Sequence, residues 1–272
     1  MNKSSRFLRL ITCVGILAVG FTISGCYTVP ETGRTGMVLF SEAQIANMGK
    51  ESFTELKTQV RVSNNRPKNE IVQRVGNRIA SSVGRDLPEA EWEFVLIEDN
   101  SINAFALPGG KVGVHTGLFS IVEKEDDLAF VMAHEIAHIT ARHANQRISA
   151  QTLFAGIGLA LAAGTGDMDS GDRNLLLGLY GLGSTVGVSL PYSRLQEREA
   201  DRIGILYAAR AGYDPRRAIV FMEKMDSSAG GLHEYLSTHP AGKTRIENIE
   251  KYLDEAVVVY DESARKRKLD LD

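Results

Sequence analysis

The chain has 272 residues, 43% of them hydrophobic and 24% charged, with a formal net charge of −3. That length suits a single globular domain with short extensions. A mildly acidic chain with no basic cluster before its tail excludes nucleic acid as a partner, and two cysteines exclude a disulfide framework.

Residues 1–25 read as a segment outside the fold. Lys3, Arg6 and Arg9 make a basic start, Leu10 to Phe21 an apolar run, and Ile23-Ser24-Gly25-Cys26 follows, in the layout of a secretory signal peptide. An uncleaved anchor is the competing reading, but the apolar run is short for a span of about 20 residues. The end of the run resembles the lipobox of bacterial lipoproteins, which implies a lipid on Cys26 and attachment to a membrane through it. Tyr27 in place of Asp after that cysteine resembles the sorting signal for the outer membrane, facing the periplasm. Processing takes the basic count from 31 to 28 against 34 acidic residues and leaves no cysteine pair for an internal bridge. Folding then rests on the core rather than on bridges.

Residues 26–40, with Pro30, Gly33 and Gly36, read as an extended tether. A domain over 41–260 follows. Ser41 caps a first helix carrying Ile45, Met48, Phe53, Leu56 and Val60. A second helix spans Asn69 to Val83 and stops at Gly84. Glu91 to Glu98 alternates and is rich in β-formers, so it is a strand. Asn103 to Leu118 reads as two short strands joined by the Pro108-Gly109-Gly110 turn. An exposed strand edge can hold an extended peptide through backbone bonds. Lys111 to His115, with Gly113 allowing close backbone approach, is the candidate edge; an ordinary hairpin packed on helices competes evenly with it. A short helix from Gly117 to Lys124 leads on.

Leu128 to His143 is helical in composition, with Glu125, Asp126 and Asp127 at its positive end. Within it stands His134-Glu135-x-x-His138. Positions four apart on a helix share a face, so the two imidazoles leave side by side and can hold one Zn²⁺. Glu135 projects about 100° around the helix, beside the metal but not on it, where it can take a proton from water at the metal. The flanks are apolar, and two histidines and a glutamate buried without partners would be costly. His143, five residues beyond His138, faces away from the metal on this helix, and His115 and His233 have no evident partner.

A catalytic zinc takes three protein ligands and keeps one position open. Ser193 to Gly212 is a helix on which Glu197 and Asp201 share a face, while Glu199 points roughly 200° away. Glu197 as ligand, with Asp201 fixing a ligand histidine, is one reading; a solvated face with local ion pairs is the other. Between the two metal-site helices lie the apolar segments Leu153–Ala163 and Leu175–Leu190, each short for a span. They flank a loop over 164–173 that, with 181–187, is a candidate lid. Helices over Pro215–Met225 and Lys243–Val257 and a charged tail over 261–272 close the chain.

His134-Glu135-x-x-His138 followed by Glu197-x-x-x-Asp201 resembles the zinc metallopeptidase family that contains the CAAX prenyl endopeptidase, HtpX, the Oma-type protease and bacterial periplasmic lipoproteins. Asn103-Ala104-Phe105, Pro108-Gly109-Gly110, Thr140-Ala141-Arg142-His143, Tyr213-Asp214-Pro215 and Ser237-Thr238-His239-Pro240 with Arg245 extend the resemblance over nearly all of residues 40–250. It implies an α+β, mainly α gluzincin fold with a small antiparallel sheet. It implies one zinc per chain held by His134, His138 and Glu197, with Glu135 as general base and Asp201 and Arg245 supporting the ligands. His239 would sit by the metal, steadying the oxyanion or occupying the open position at rest. Asn103, Ala104, Gly110, Lys111, Val112, Gly113 and Val114 would carry substrate. The tetratricopeptide array that some relatives carry after this point does not follow, which weakens any transfer of their partner docking. The resulting expectation is a membrane-tethered zinc endopeptidase acting on extended segments of misfolded or unassembled envelope proteins, with outer-membrane assembly machinery as a candidate partner. A non-proteolytic periplasmic factor that holds clients is the rival.

Overall fold

The computed structural model describes residues 25–87, 90–166, 169–184, 190–227, 239 and 243–269. The signal segment up to Ser24 lies outside the described residues, as do His233, Ser237, Thr238 and Pro240 and part of each candidate lid stretch. The chain falls into two compact units where the sequence suggested one domain. One holds the residues up to Thr28, Arg34–Ser41 and Asn145–Ser193; the other holds Val29–Gly33, Glu42–Ala144 and the residues from Arg194 onward.

In the first unit, β1 (Gly25–Thr28) and β2 (Thr35–Val38) pair antiparallel, with Cys26 opposite Met37. The expected tether is therefore a ribbon in this stretch, and Cys26 is exposed on it. The Leu39 amide donates to Ser149 Oγ (2.8 Å), and Asn145 Nδ2 donates to the Phe40 carbonyl (2.8 Å). These bonds tie the strand exit to helix α4 (His143–Gly164). The apolar segments form α4 and α5 (Ser170–Ser184), joined by the Tyr180 hydroxyl donating to the Phe154 carbonyl (2.7 Å). Leu159, Leu175 and Leu179 are exposed on them. Among the described residues no helix is long and apolar enough to cross a membrane.

The second unit is built around one buried helix. Helix α1 spans Glu42–Gln59 and α2 spans Arg66–Val83. The latter begins three residues before the expected Asn69. Asn65 caps it, its side chain accepting from the Lys68 amide (3.1 Å), and Pro67 occupies the first turn, where a missing N–H costs nothing. Gly84, at φ +56°, ends it as expected. Three strands form a mixed sheet in the order β3 (Glu93–Ile97), β5 (Lys111–His115), β4 (Ala104–Leu107), parallel between β3 and β5 and antiparallel between β4 and β5. The Pro-Gly-Gly turn forms, with Gly109 and Gly110 at φ +81° and +85°.

That order corrects the substrate edge. Lys111, Val112, Gly113 and Val114 lie on the central strand, buried, with both rows of backbone groups committed to neighbours. Gly113 is small for a different reason: a Cβ there would run into the ring of Phe105 on β4. Lys111 Nζ donates inward to the Glu91 carbonyl (2.7 Å), and Gly110 belongs to the turn. The outer side of β3 is partly covered, since the Ser63 amide donates to the Leu96 carbonyl (2.8 Å) and the Glu98 amide to the Arg61 carbonyl (2.7 Å). Strand β4, which Asn103 and Ala104 open, is the other edge. The His115 amide donates to the Asn103 carbonyl (3.0 Å), so by antiparallel alternation Ala104 and Ala106 turn their backbone groups away from β5; Ala104 is buried and Ala106 half-buried.

Helix α3 (Glu125–Thr140) is buried from Asp127 onward and packs against α2, β4 and α7 (Arg217–Ser227). Asp127 anchors its start. It accepts from the Glu123 and Lys124 amides (2.9 and 3.0 Å) and, with both oxygens, from Arg217 (2.8 and 2.9 Å). The short helix expected over Gly117–Lys124 is a 3₁₀ turn, Thr116–Ser120. Helices α6 (Leu190–Arg210) and α8 (Lys243–Leu269) complete the unit. Helix α8 continues through the proposed boundary at 260, and Ser263 Oγ donates to the Ala209 carbonyl (3.0 Å), so the first part of the expected tail is docked.

Candidate metal centre

The face shared by His134 and His138 meets α6 at a close crossing made by Gly204. A Cβ on that glycine would stand 3.0 Å from both the backbone N and the Cα of His134, so the two helix backbones press together here. Glu197 lies two turns before Gly204 on α6 and Asp201 nearly one turn before it, so the crossing delivers both carboxylates to the histidines.

Four side chains converge. His134 Nε2 is 3.1 Å from His138 Nε2 and 3.3 Å from Glu197 Oε2, and His138 Nε2 is 3.4 Å from Glu197 Oε1. His239 Nδ1 is 3.3 Å from His134 Nε2 and 3.0 Å from Glu197 Oε2. All four residues are buried, and the four ligand atoms lie within 4.8 Å of one another. Tetrahedral ligands at zinc–nitrogen and zinc–oxygen lengths of about 2.0–2.1 Å sit about 3.3–3.4 Å apart. Lone pairs on imidazole nitrogens that face each other at that spacing are satisfied by a cation, and three imidazoles with one carboxylate suit zinc. The donor set fits the metal.

Each ligand histidine is oriented from behind. His134 Nδ1 stands 3.0 Å from Asp201 Oδ1, and Arg245 grips Asp201 through Nη2 (2.6 Å) and Nε (2.9 Å). With Nδ1–H donating to Asp201, the lone pair of Nε2 points into the centre. Burial opposes a charge on His134, but hydrogen bonds to Asp201 and Glu197 outweigh it and push the metal-free imidazole up to about 9. Burial likewise opposes ionisation of Glu197 and Asp201, yet His134 and His239 hold the first well below the carboxylate range, and Arg245 lowers the second. His138 moves the other way, its protonated form disfavoured first by burial. Burial also raises Glu135, whose Oε1 makes no hydrogen bond among the described residues and stands 3.3 Å from His239 Nε2. His239 thus turns one nitrogen to the centre and the other to Glu135.

The structure therefore brings His134, Glu135, His138, Glu197, Asp201, His239 and Arg245 together. Ala104 opens the strand packed against α3, and Asn103 directly precedes it. His143 corrects the expectation that it faces away. Helix α3 ends at Thr140, and Arg142 at φ +55° turns the chain, so His143 folds back with Nδ1 2.8 Å from His138 Nδ1. Its Nε2 is 3.0 Å from Glu199 Oε2, and Thr32 Oγ1 donates to Glu199 Oε1 (2.6 Å). Glu199 is buried because α6 is enclosed on more than one side. The Thr-Ala-Arg-His helix exit was the signal for His143; no pattern pointed to Glu199 or Thr32. His115, which had no evident partner, is 2.7 Å from Ser101 Oγ.

Comparison with known proteins gives a match to the model of peptidase family M48 over residues 66–253. The mitochondrial metalloendopeptidase OMA1 of Schizosaccharomyces pombe is 40% identical over 190 residues, covering 69% of this chain and 53% of the relative. The mitochondrial metalloendopeptidase OMA1 of Bos taurus is 31% identical over 273 residues, covering 95% of this chain and 51% of the relative. The β-barrel assembly-enhancing protease of Escherichia coli K12 is 31% identical over 242 residues, covering 86% and 48%. The chain spans about half the length of these relatives.

Proposed function

The chain belongs to peptidase family M48, and from that premise we propose that it is a zinc-dependent endopeptidase. The observation that carries the reading is the convergence of His134, His138 and Glu197 from two helices, with the buried carboxylate of Glu135 beside them. When bound, Zn²⁺ polarises a scissile carbonyl and makes a neighbouring water acidic. His134, His138 and Glu197 hold the metal. Asp201, gripped by Arg245, keeps His134 in the ligating tautomer. Glu135 takes the proton of the attacking water at its carboxylate and returns it to the leaving amine. His239, whose Nδ1 joins the donor set, would occupy the place substrate needs when the metal is bound.

The substrate is an extended polypeptide that pairs with the edge of β4 at half-buried Ala106, whose backbone groups point away from β5. The exposed Cys26 and the signal-like stretch before it support an exported protein, lipid-anchored at the outer membrane and facing the periplasm. The relative named for enhancing β-barrel assembly supports misfolded or unassembled envelope proteins as clients. Contact with the assembly machinery itself belongs to the same proposal.

Cleavage of unfolded casein tests the activity. The wild type should cut it and a chelator should stop it. Glu135→Gln should lower kcat by about 10²–10⁴ while zinc content stays at one per chain. A Glu135→Gln variant cutting at the wild-type rate overturns the reading. Mass spectrometry of the mature N-terminus tests the anchor: an intact Met1 overturns it.

A further inference from the structure

The centre holds a second chain of contacts, behind His138, that no catalytic step uses. His138 Nδ1 meets His143 Nδ1 at 2.8 Å, His143 Nε2 meets Glu199 Oε2 at 3.0 Å, and Thr32 Oγ1 donates to Glu199 Oε1 at 2.6 Å. The direction of the bonds can be worked out from the far end. A carboxylate only accepts, so the Glu199–His143 contact requires the proton on His143 Nε2. A metal on His138 Nε2 leaves Nδ1 of that ring as a donor, so His143 must then be neutral and present a bare Nδ1 to it. That contact in turn requires the proton of His138 on Nδ1, which leaves Nε2 with its lone pair toward the metal position.

We propose that Glu199 and His143 are positioning residues that lock His138 in its metal-binding tautomer, as Asp201 and Arg245 do for His134. This deepens the zinc-site reading and rests on it. No group changes charge; what is fixed is which nitrogen carries the proton. Thr32 donates to the other oxygen of Glu199 and so keeps the carboxylate turned toward His143. Two ligand histidines are thereby oriented by independent carboxylates, one through direct contact and one through an intervening imidazole.

The deciding comparison is between two replacements of His143. His143→Phe keeps a ring of similar volume and breaks the relay. His143→Gln loses the ring but retains a carbonyl to accept from His138 and an amide to donate to Glu199. Zinc affinity, measured by competition with a chromogenic chelator, should fall about 10–100-fold in His143→Phe and in Glu199→Leu. His143→Gln should recover most of that loss. The visible bands of the Co²⁺-loaded protein should shift in the first two variants and stay near wild type in the third. A role in packing alone gives the opposite order, with Phe tolerated better than Gln. Folded His143→Phe and Glu199→Leu proteins binding zinc within twofold of wild type overturn the relay, and so does His143→Gln binding as weakly as His143→Phe. Wild-type protein that takes up no zinc would instead overturn the site reading itself.

Discussion

A ring nitrogen can serve a metal only if the other nitrogen keeps the proton, and here two buried carboxylates see to that. His239 differs: its second nitrogen faces Glu135, the proposed base, at 3.3 Å. A side chain that occupies the corner needed by substrate lowers the competent fraction of the enzyme. His239→Ala should therefore raise turnover of a short flexible peptide, about tenfold if the wild-type site is open one-tenth of the time, while weakening zinc binding. A comparable fall in kcat would assign His239 to the oxyanion instead. His134, Glu135 and His138 were legible because four-residue spacing fixes a shared face whatever surrounds the helix. Glu197 and Asp201 became legible only as part of the family pattern, since an acidic helix face is also what solvent favours. His143 was misread because an ideal helix was carried three residues past its end at Thr140, and the left-handed Arg142 reverses the direction that spacing implies.

Helices α3 and α6 do their work by touching where α6 has no side chain. Gly204→Ala would place a methyl carbon 3.0 Å from the backbone of His134, which has no flexible end to move aside. The expected cost is about 1–3 kcal/mol in urea unfolding, together with weaker zinc binding as Glu197 withdraws. A variant of unchanged stability and affinity would show that the crossing can open enough to take a methyl group. Element order resisted reading at the sheet. Alternation and the Pro-Gly-Gly turn identify the strands, but which of three becomes central depends on the pairing of β3 with β5, a contact between strands separated by β4 in the chain. Gly113 then carried a false signal, its lack of a side chain serving Phe105 and not a peptide. The mainly helical class is what the family resemblance implies, and the apolar spacing of α2 agrees with it.

For the molecule as a whole, the metal links pH to stability. In the metal-free protein His134 titrates near 9 against an ordinary 6.5, because Asp201 and Glu197 favour its charged form despite burial. A raised value means that this contribution is full below about pH 6.5 and is lost as pH climbs through 9. Zinc binds the unprotonated ring, so its advantage grows over the same interval. Thermal unfolding with and without chelator should show a gap in Tm that widens from pH 6.5 to 9; a constant gap would mean that His134 holds no proton in the empty site. The short length of β4 has a last consequence. If a substrate pairs with β4 as proposed, four residues of strand would grip only about 13 Å of it, and no segment locked in a stable sheet or helix would offer that much bare backbone. The rate of cleavage would then be set by how often a folded chain opens of its own accord, so little preference in sequence would be needed to tell damaged proteins from sound ones.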